Sequence, residues 1–362
     1  MDSMPPIEPA RRRTPTAVLM PAILVLAACA AGASPPVSLG PSAEPSPQES
    51  IAPEGPPTRD LAEAASLDLH LEGGPDWPTE LDGSIWLLAP DGPLRPEGLP
   101  PLVFRLDPQT GEEQAQVVIP GRFCQGMEAA FDALWVCVDE GMVRIDPATN
   151  AIVAEIAFPA PQVFGRPAIS PDAVWSLSGD IAADRVVRVD PTTNAVTATY
   201  PLGHAVLSLS YGFDALWASA ASDGILLRID PASGAVTEHV TGLPSPSVVT
   251  TGAGSIWVLL YGSRDGPSPA ADDPTVARID PSTGTVTLVG PAGSPARDGD
   301  IAATDDGVWV RGPDPFLVRL DSTTGEIDQI VTANFAGGSV RVAFGSVWVT
   351  SVEFGRVWRI DP

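Results

Sequence analysis

Short apolar and alternating runs, separated by Gly, Pro, Asn and Asp, fill the chain from residue 66 onward. Such runs, rich in Val, Ile, Thr and Trp, are typical of β-strands, and the residues between them are typical of tight turns. No run of useful length has the 3.6-residue period of an amphipathic helix. The pattern therefore predicts an all-β fold for this part of the chain.

One unit recurs seven times in this region. Each copy carries a Trp and, eleven to twenty-three residues later, an Arg-apolar-Asp triplet. Successive triplets are 39 to 50 residues apart, close to the length of a four-stranded propeller blade. We therefore predict a seven-bladed β-propeller over 66–362, with four antiparallel strands in each blade. The repeated residues are Trp86, Trp135, Trp175, Trp217, Trp257, Trp309 and Trp348, with Asp107, Asp146, Asp190, Asp230, Asp280, Asp321 and Asp361.

The last copy stops after its third strand, at Asp361. An alternating segment, 67–72, precedes the first copy, where a fourth strand would otherwise be missing. We predict that it pairs with 356–361, completes the seventh blade and closes the ring, which leaves no open sheet edge.

The repeated Asp begins an Asp-Pro-x-Thr/Ser-Gly/Asn element in most copies. Pro favours the first central position of a type I turn, and the Asp side chain accepts from backbone N–H groups two or three residues on. Hairpin turns therefore account for these carboxylates without a metal. An Arg lies two residues before each Asp, and we expect an Arg–Asp belt between blades, with that Asp as the ionic partner. The repeated Trp residues are expected to pack between adjacent blades.

The N-terminal segment has the features of an export signal. Three Arg at 11–13 precede an apolar run, 17–28, which is too short to span a bilayer. Leu26-Ala27-Ala28-Cys29 resembles the lipobox of bacterial lipoproteins, which implies lipidation of Cys29; the alternative is an ordinary signal cleaved near Ala28 or Ala30. We predict a lipoprotein signal over 1–28, a Pro/Ser-rich disordered linker with the lipidated Cys over 29–65, and an extracytoplasmic protein anchored to the bacterial cell membrane or outer membrane.

Composition restricts the partners. The net charge is −25, and all 20 cationic residues are Arg, which argues against binding to nucleic acid. The lipid anchor is the expected contact with a membrane, and we expect a monomer. Cys124 and Cys137 remain as a pair in an oxidising compartment. We predict a disulfide between them; two buried thiols are the alternative.

The repeat, GSIWV followed by RIDPxTGxV, resembles the YVTN-type repeats of bacterial extracytoplasmic propellers and, more loosely, virginiamycin B lyase-like proteins. The resemblance covers 66–362 and implies the propeller fold. The lyases are metal-dependent and use a His and a Glu on one face. This chain has His only at 70, 204 and 239, with none in the late blades, so that activity does not carry over. No Trp follows the Asp turn as in quinoprotein propellers, so no quinone is expected.

No catalytic motif is present, and we predict no catalytic residue, resident metal or other cofactor. The leading hypothesis is a surface-tethered, non-catalytic binding or scaffold module for a protein, glycan or small molecule. The alternative is a metal-dependent hydrolase or lyase with Ca²⁺ or Mg²⁺ held by channel carboxylates. The acidic loops 180–184 and 297–300 are consistent with this alternative. Binding is expected on the face that carries the variable blade-to-blade and second-to-third loops. The candidate residues are Arg122, Phe123, Phe164, Arg166, His204 (placed in a loop), Tyr261, Arg264, Arg297 and Asp298.

Overall fold

Hydrogen-bonded antiparallel sheets, arranged as seven blades, dominate the structure. It is a computed structural model, and it describes residues 55–89, 100–121, 126–161, 165–179, 183–260, 275–290, 299–312, 314–335 and 337–361. The described chain begins with strand β1 (Thr58–Asp60), helix α1 (Leu61–Ala64) and strand β2 (Ala65–His70).

Each of the first six blades takes four successive strands. Blade 1 consists of β3 (Asp76–Leu81), β4 (Ser84–Ala89), β5 (Leu102–Leu106) and β6 (Glu113–Val118). Blade 2 consists of β7 (Met127–Ala130), β8 (Ala133–Val138), β9 (Gly141–Asp146) and β10 (Ala151–Ala157). Blade 3 consists of β11 (Ala168–Ser170), β12 (Ala173–Ser178), β13 (Ala183–Asp190) and β14 (Ala195–Val206). Blade 4 consists of β15 (Ser208–Gly212), β16 (Ala215–Ala220), β17 (Ile225–Ile229) and β18 (Val236–Thr241).

The remaining blades follow the same order. Blade 5 consists of β19 (Pro246–Gly252), β20 (Ser255–Leu260), β21 (Val276–Ile279) and β22 (Val286–Val289). Blade 6 consists of β23 (Asp300–Thr304), β24 (Gly307–Arg311), β25 (Leu317–Leu320) and β26 (Ile327–Thr332). Blade 7 takes β27 (Val340–Ala343), β28 (Ser346–Ser351) and, after the 3-10 turn Val352–Phe354, β29 (Arg356–Ile360).

The fourth strand of blade 7 comes from the N-terminal side of the propeller. Strand β2 pairs antiparallel with β29, with Ala65 opposite Ile360 and His70 opposite Arg356. The sheet order is β2-β29-β28-β27. The predicted closure of the ring is confirmed.

The residues just before β2 pair with blade 6 and pack against blades 6 and 7. Strand β1 adds to blade 6 as a fifth strand, parallel to β26. Helix α1 buries Leu61 and Ala64 in a cluster that includes Trp309 of blade 6 and Trp358 of blade 7. Within the predicted linker, residues 58–64 thus form a strand and a helix and Ala65 begins β2, whereas 1–54 lie outside the described residues. None of the helices in the described part of the chain has the length and apolar composition needed to cross a membrane.

The seven repeated Trp lie on the second strands and form the contacts between blades. Six are fully buried, and Trp309 is 3% exposed. Trp86 of blade 1 packs with Leu134 and Val136 of blade 2, and the other blades repeat this contact around the ring. Trp348 of blade 7 packs with Ile85 of blade 1. The predicted packing role of these residues is confirmed.

The Asp turns follow the predicted geometry. In blade 5, for example, Asp280 Oδ1 accepts from the backbone N–H groups of Ser282 and Thr283 at 2.9 and 2.7 Å. Two backbone bonds are the main reason that the pKa of Asp280 is held below its usual value.

The predicted ionic partner of the Arg belt is wrong. Among the described pairs, only Arg359 comes within ion-pair distance of the Asp two residues on, at 3.6 Å. Arg105 instead donates to the carbonyl oxygen of Pro147, at 2.6 Å, in the Asp-Pro turn of the next blade. Arg359 reaches Pro108 of blade 1 in the same way, at 2.7 Å. The Asp of each described Asp turn is already engaged by that turn, and Arg144 and Arg278 reach next-blade carbonyl groups as Arg105 and Arg359 do.

Candidate functional site

The first strands of the seven blades surround a central channel. Neighbouring first strands contact one another all around the ring. A cavity of about 350 Å³ opens between them. Every blade contributes to its lining, with Trp77, Glu128, Ile169, Ser208, Val248, Ile301 and Arg341 as one representative from each.

Four charged side chains form a network across this channel. Arg341 of blade 7 donates to Glu128 Oε2 of blade 2. Arg166, just before blade 3, lies with its Nε 3.9 Å from the same oxygen and its Nη2 3.4 Å from Asp300 Oδ2 of blade 6. The four side chains are 5 to 23% exposed. Because solvent screens such a pair less than it screens a surface pair, the network fixes the positions of four blades at this point.

Arg166 is placed by a close approach of two backbones. Gly126, before β7, has a φ of 158°, and a Cβ there would lie 2.1 Å from the carbonyl oxygen of Gly165. Only a residue without a side chain permits this approach. The segment that carries Arg166 is thereby held against the start of blade 2, beside Glu128.

Trp77 forms the wall under the Arg166 guanidinium. The guanidinium carbon is 4.9 Å from the centre of the indole ring, within the range of a cation–π interaction. Trp77 has a φ of 54° although it is aromatic and precedes Pro78, and such residues rarely adopt this conformation. Its backbone N–H donates to Ser339 Oγ at 2.9 Å, which helps to hold it there.

Two carboxyl groups at this site are buried, Asp300 of the network and Asp76 beside it. Asp300 accepts from the backbone N–H groups of Ile301 and Val340, at 2.9 and 3.1 Å. Asp76 accepts from Thr350 Oγ1 at 2.7 Å and from Ser339 Oγ. Burial is the dominant cause in both cases and raises the pKa of Asp76 and of Asp300 above the usual value, despite these hydrogen bonds.

The three histidines of the chain lie away from this site. His70, His204 and His239 occupy β2, β14 and β18, which are fourth strands of their blades. Within the described ranges, no three His, Cys, Asp or Glu side chains converge in a way that could hold a metal ion. The described channel wall can therefore offer charge, hydrogen bonds and an aromatic surface to a ligand.

The structure describes two of the nine predicted ligand-binding residues. Arg166 lines the channel. His204 does not, and its placement in a loop was wrong, because β14 extends through it to Val206. Its Nδ1 lies 2.7 Å from Asp223 Oδ2. Cys137 is buried in β8. The predicted residues outside the described ranges are Cys29, Arg122, Phe123, Cys124, Phe164, Tyr261, Arg264, Arg297 and Asp298.

The sequence prediction did not include Trp77, Glu128 or Arg341 as site residues, and it included Asp300 only within the acidic loop 297–300 of the metal alternative. Trp77, Glu128, Asp300 and Arg341 lie on or beside first strands, which carry small or apolar residues at most of the other lining positions. A charged residue on a first strand, where most lining residues are small or apolar, was the sequence feature that could have indicated these site residues.

Three solved structures are similar to this chain in fold. BamB from Moraxella catarrhalis aligns with a TM-score of 0.52 and 18% identity, over 79% of this chain and 82% of that chain. Kuenenia stuttgartiensis hydrazine synthase aligns with a TM-score of 0.63 and 13% identity, over 81% of this chain and 98% of that chain. The computationally designed Ika8 protein aligns with a TM-score of 0.57 and 12% identity, over 85% of this chain and 100% of that chain.

These likenesses concern the fold alone, because the identities are low. No protein-family model matches the chain. No curated protein matches it. The blade count, the ring closure and the structural neighbours agree on one architecture: the chain is a seven-bladed β-propeller.

Proposed function

We propose that this propeller is a non-catalytic binding or scaffold module that receives its ligand at the mouth of the central channel. The observation that carries the proposal is the Arg341–Glu128–Arg166–Asp300 network around the cavity. Four blades hold these groups in place before any ligand arrives, so little conformational freedom is lost on binding.

The network lies near one end of the channel. Arg166 lies two residues before the start of β11, and Asp300 begins β23. First strands start where the chain arrives from the preceding blade. This end therefore corresponds to the face with the variable blade-to-blade loops, which the sequence predicted as the binding face.

We further propose an extracytoplasmic location and a lipid anchor at Cys29, as in the YVTN-type propeller lipoproteins that the repeat resembles. The support is the lipobox-like Leu26-Ala27-Ala28-Cys29 and the Pro-rich segment after it. The net charge of −25 would repel polyanions, so a neutral or cationic ligand is expected.

The test is a ligand screen of the full chain by thermal melting, with neutral saccharides, peptides, cell-wall fragments, Ca²⁺ and Mg²⁺. A stabilising ligand is then titrated against two charge-reversed variants. Arg166→Glu is expected to weaken its binding at least tenfold. The control is Arg188→Glu, which has the same charge change but lies by the Asp172 turn, at the other end of blade 3. Its binding is expected to be unchanged.

Equal weakening by both variants would contradict the location of the site. Mass spectrometry of the recovered ligand checks the class of function. If the recovered ligand has been converted to a product, and a chelator stops that conversion, the protein is a metal-dependent enzyme and the proposed binding function is wrong.

A further inference from the structure

The channel is walled by the free edges of the seven sheets. Each first strand is the last strand of its sheet on that side, so the backbone groups that do not bond to the second strand face inward. In β15, Gly212 and Ala215 close a two-residue turn as a hydrogen-bonded pair. Leu209 and Tyr211 therefore lie in non-bonded pairs, and their N–H and C=O groups point inward. Tyr211 bears this out, because its carbonyl oxygen accepts from Thr251 Oγ1 of the next blade at 2.8 Å.

At one level of the ring most of these inward groups cannot pair with a further strand. The level is the third residue before the turn-closing residue of each first strand. Two of the seven residues there are Pro, which has no N–H. The N–H of Val249 donates to Ser208 Oγ at 3.2 Å, and Asp300 accepts from the other two engaged N–H groups. In blade order the seven residues are Pro78, Met127, Pro167, Leu209, Val249, Ile301 and Val340.

Leu209 is the exception at this level. Its inward N–H and C=O have no partner among the described residues, and it belongs to the cavity wall. Met127 also has no such partner, but it is fully buried and does not belong to the described wall. The cavity therefore meets a free N–H and a free C=O at this level only in blade 4.

The cavity contacts β15 along its backbone edge. Five consecutive residues, 207–211, line it. Consecutive side chains of a strand point to opposite faces, so a space that touches all of them lies beside the edge of the strand. A second run, 165–169, also lines the cavity, but Pro167 lacks the N–H at the equivalent position.

The edge of β15 is held in place before a ligand arrives. Ser208 Oγ accepts from the backbone N–H of Val249, and Ser210 Oγ lies 3.2 Å from Thr251 Oγ1. Both contacts join β15 to β19 of the next blade. A strand that pairs with this edge would therefore lose little of its binding energy to ordering the protein.

The chemistry of a strand edge selects a polypeptide. One residue of an extended peptide carries an N–H and a C=O with the spacing that exchanges two hydrogen bonds with one residue of an edge strand. This propeller already accepts one added strand at an outer edge, since β1 pairs with β26 of blade 6. The cavity of about 350 Å³ lies within the size range of ligand pockets and suits a short stretch of chain.

We propose that the ligand of the channel is an extended peptide segment, which enters at the mouth and pairs with the inner edge of β15 through two backbone hydrogen bonds to Leu209. This inference rests on the proposed binding function and names the class of the ligand. Ile169 and Val248 of the cavity wall offer apolar contacts to its side chains. The net charge of −25 favours a neutral or cationic segment.

The experiment follows the backbone amide signals of the full, ¹⁵N-labelled chain by NMR. The probe is the neutral peptide acetyl-Thr-Val-Thr-Val-Thr-amide, whose residues favour the extended conformation. The Leu209 signal, assigned with Leu209→Met, is expected to shift downfield, to saturate and to exchange more slowly with solvent. The internal control is Ala303, which also lies in a non-bonded pair of a first strand but not in the described cavity wall. Its signal is expected to stay in place.

A modified probe separates backbone pairing from side-chain contacts. The same peptide with every amide nitrogen methylated keeps its side chains and loses its N–H donors. It is expected to bind at least tenfold more weakly than the parent probe. Equal binding of the two probes would overturn the proposal, and this comparison needs no protein variant.

A matched pair of variants tests the edge itself. Leu209→Pro removes the inward N–H and leaves the bonds to β16, because Pro is tolerated where the N–H faces away from the sheet. It is expected to raise the Kd of the probe about three- to tenfold, the range of one hydrogen bond. Ala303→Pro makes the same change outside the cavity wall and is expected to leave the Kd unchanged. Melting curves verify that both variants fold, and a Leu209→Pro protein that folds and binds as the parent does would contradict the pairing.

The outcomes keep this inference apart from the proposed function. Absence of any Leu209 shift up to about 10 mM probe, roughly ten times a millimolar Kd, would overturn the inference. A saccharide or other non-peptide ligand that loses affinity in Arg166→Glu but not in Leu209→Pro would leave the binding function intact. It would overturn only the assignment of a peptide.

Discussion

Arg311 at the end of β24 offers a sharp test of how blades 6 and 7 are joined. Its side chain is 1% exposed and stacks 4.0 Å above the ring of Phe316. The guanidinium donates to five carbonyl groups, four from the segments around it and one from strand β28. They belong to Gly312, Phe316, Phe335, Gly337 and Thr350. Burial lowers the pKa of Arg311 to about 10, so the group is still charged at pH 7.

Arg311→Met keeps most of the side-chain volume and removes every donor. A buried carbonyl that loses its partner costs about 1–3 kcal/mol, and part of this cost is recovered when loops relax and admit water. We expect the free energy of unfolding to fall by about 4 kcal/mol, the usual range for breaking a buried charged network. For a domain of this size the melting temperature should fall by about 10 °C.

Urea unfolding followed by Trp fluorescence measures this loss. Arg188→Met is the control, because Arg188 also stacks on a Trp but its ion pair with Asp172 is largely exposed on the Asp172 side. We expect a loss below about 1 kcal/mol there. If Arg311→Met costs no more than Arg188→Met, the carbonyl cluster does not depend on the guanidinium and the reasoning is wrong.

Four further predictions concern the ring, the anchor, the disulfide and the response to pH. Removal of all residues before 75 deletes strand β2 and exposes the edge of β29, so this variant should melt far below one that begins at 55; equal melting temperatures would contradict ring closure. Cys29→Ser should abolish metabolic labelling with a fatty acid, and continued labelling would exclude this residue as the anchor. Non-reducing mass spectrometry should find Cys124 joined to Cys137, and reduction should destabilise the fold by about 3 kcal/mol in the entropic estimate, whereas two thiols would contradict the pairing. Because burial raises the pKa of Asp76 in the folded state, the folded protein binds this proton more tightly than the unfolded chain does. The stabilisation from this proton is present at low pH and is lost as the pH rises from 3.8 through the raised pKa. Measured by urea unfolding, the Asp76→Asn variant should therefore lose less stability than the parent between pH 4 and 7.

The site was less predictable than the fold. Arg166 could be proposed because it lies in a variable loop before a predicted first strand. Its partners could not, because Glu128 and Asp300 belong to strands of other blades. Even where a residue type was predicted correctly, as in the Arg belt, its partner was not, since several of these Arg, such as Arg105 and Arg359, bind carbonyl groups of the next blade.

The sequence alone determined the blade count, the strand order and the closing strand, because these depend on local rules repeated seven times. Alternation sets the strands, Asp-Pro elements set the turns, and each of the seven repeated Trp marks a second strand. Only the tertiary structure decided what the channel contains. Glu128 and Arg341 are 213 residues apart in the chain and meet because the ring closes. Such single-copy residues have no repeated pattern, and their contacts depend on the circular arrangement that places blades 2, 3, 6 and 7 around one axis.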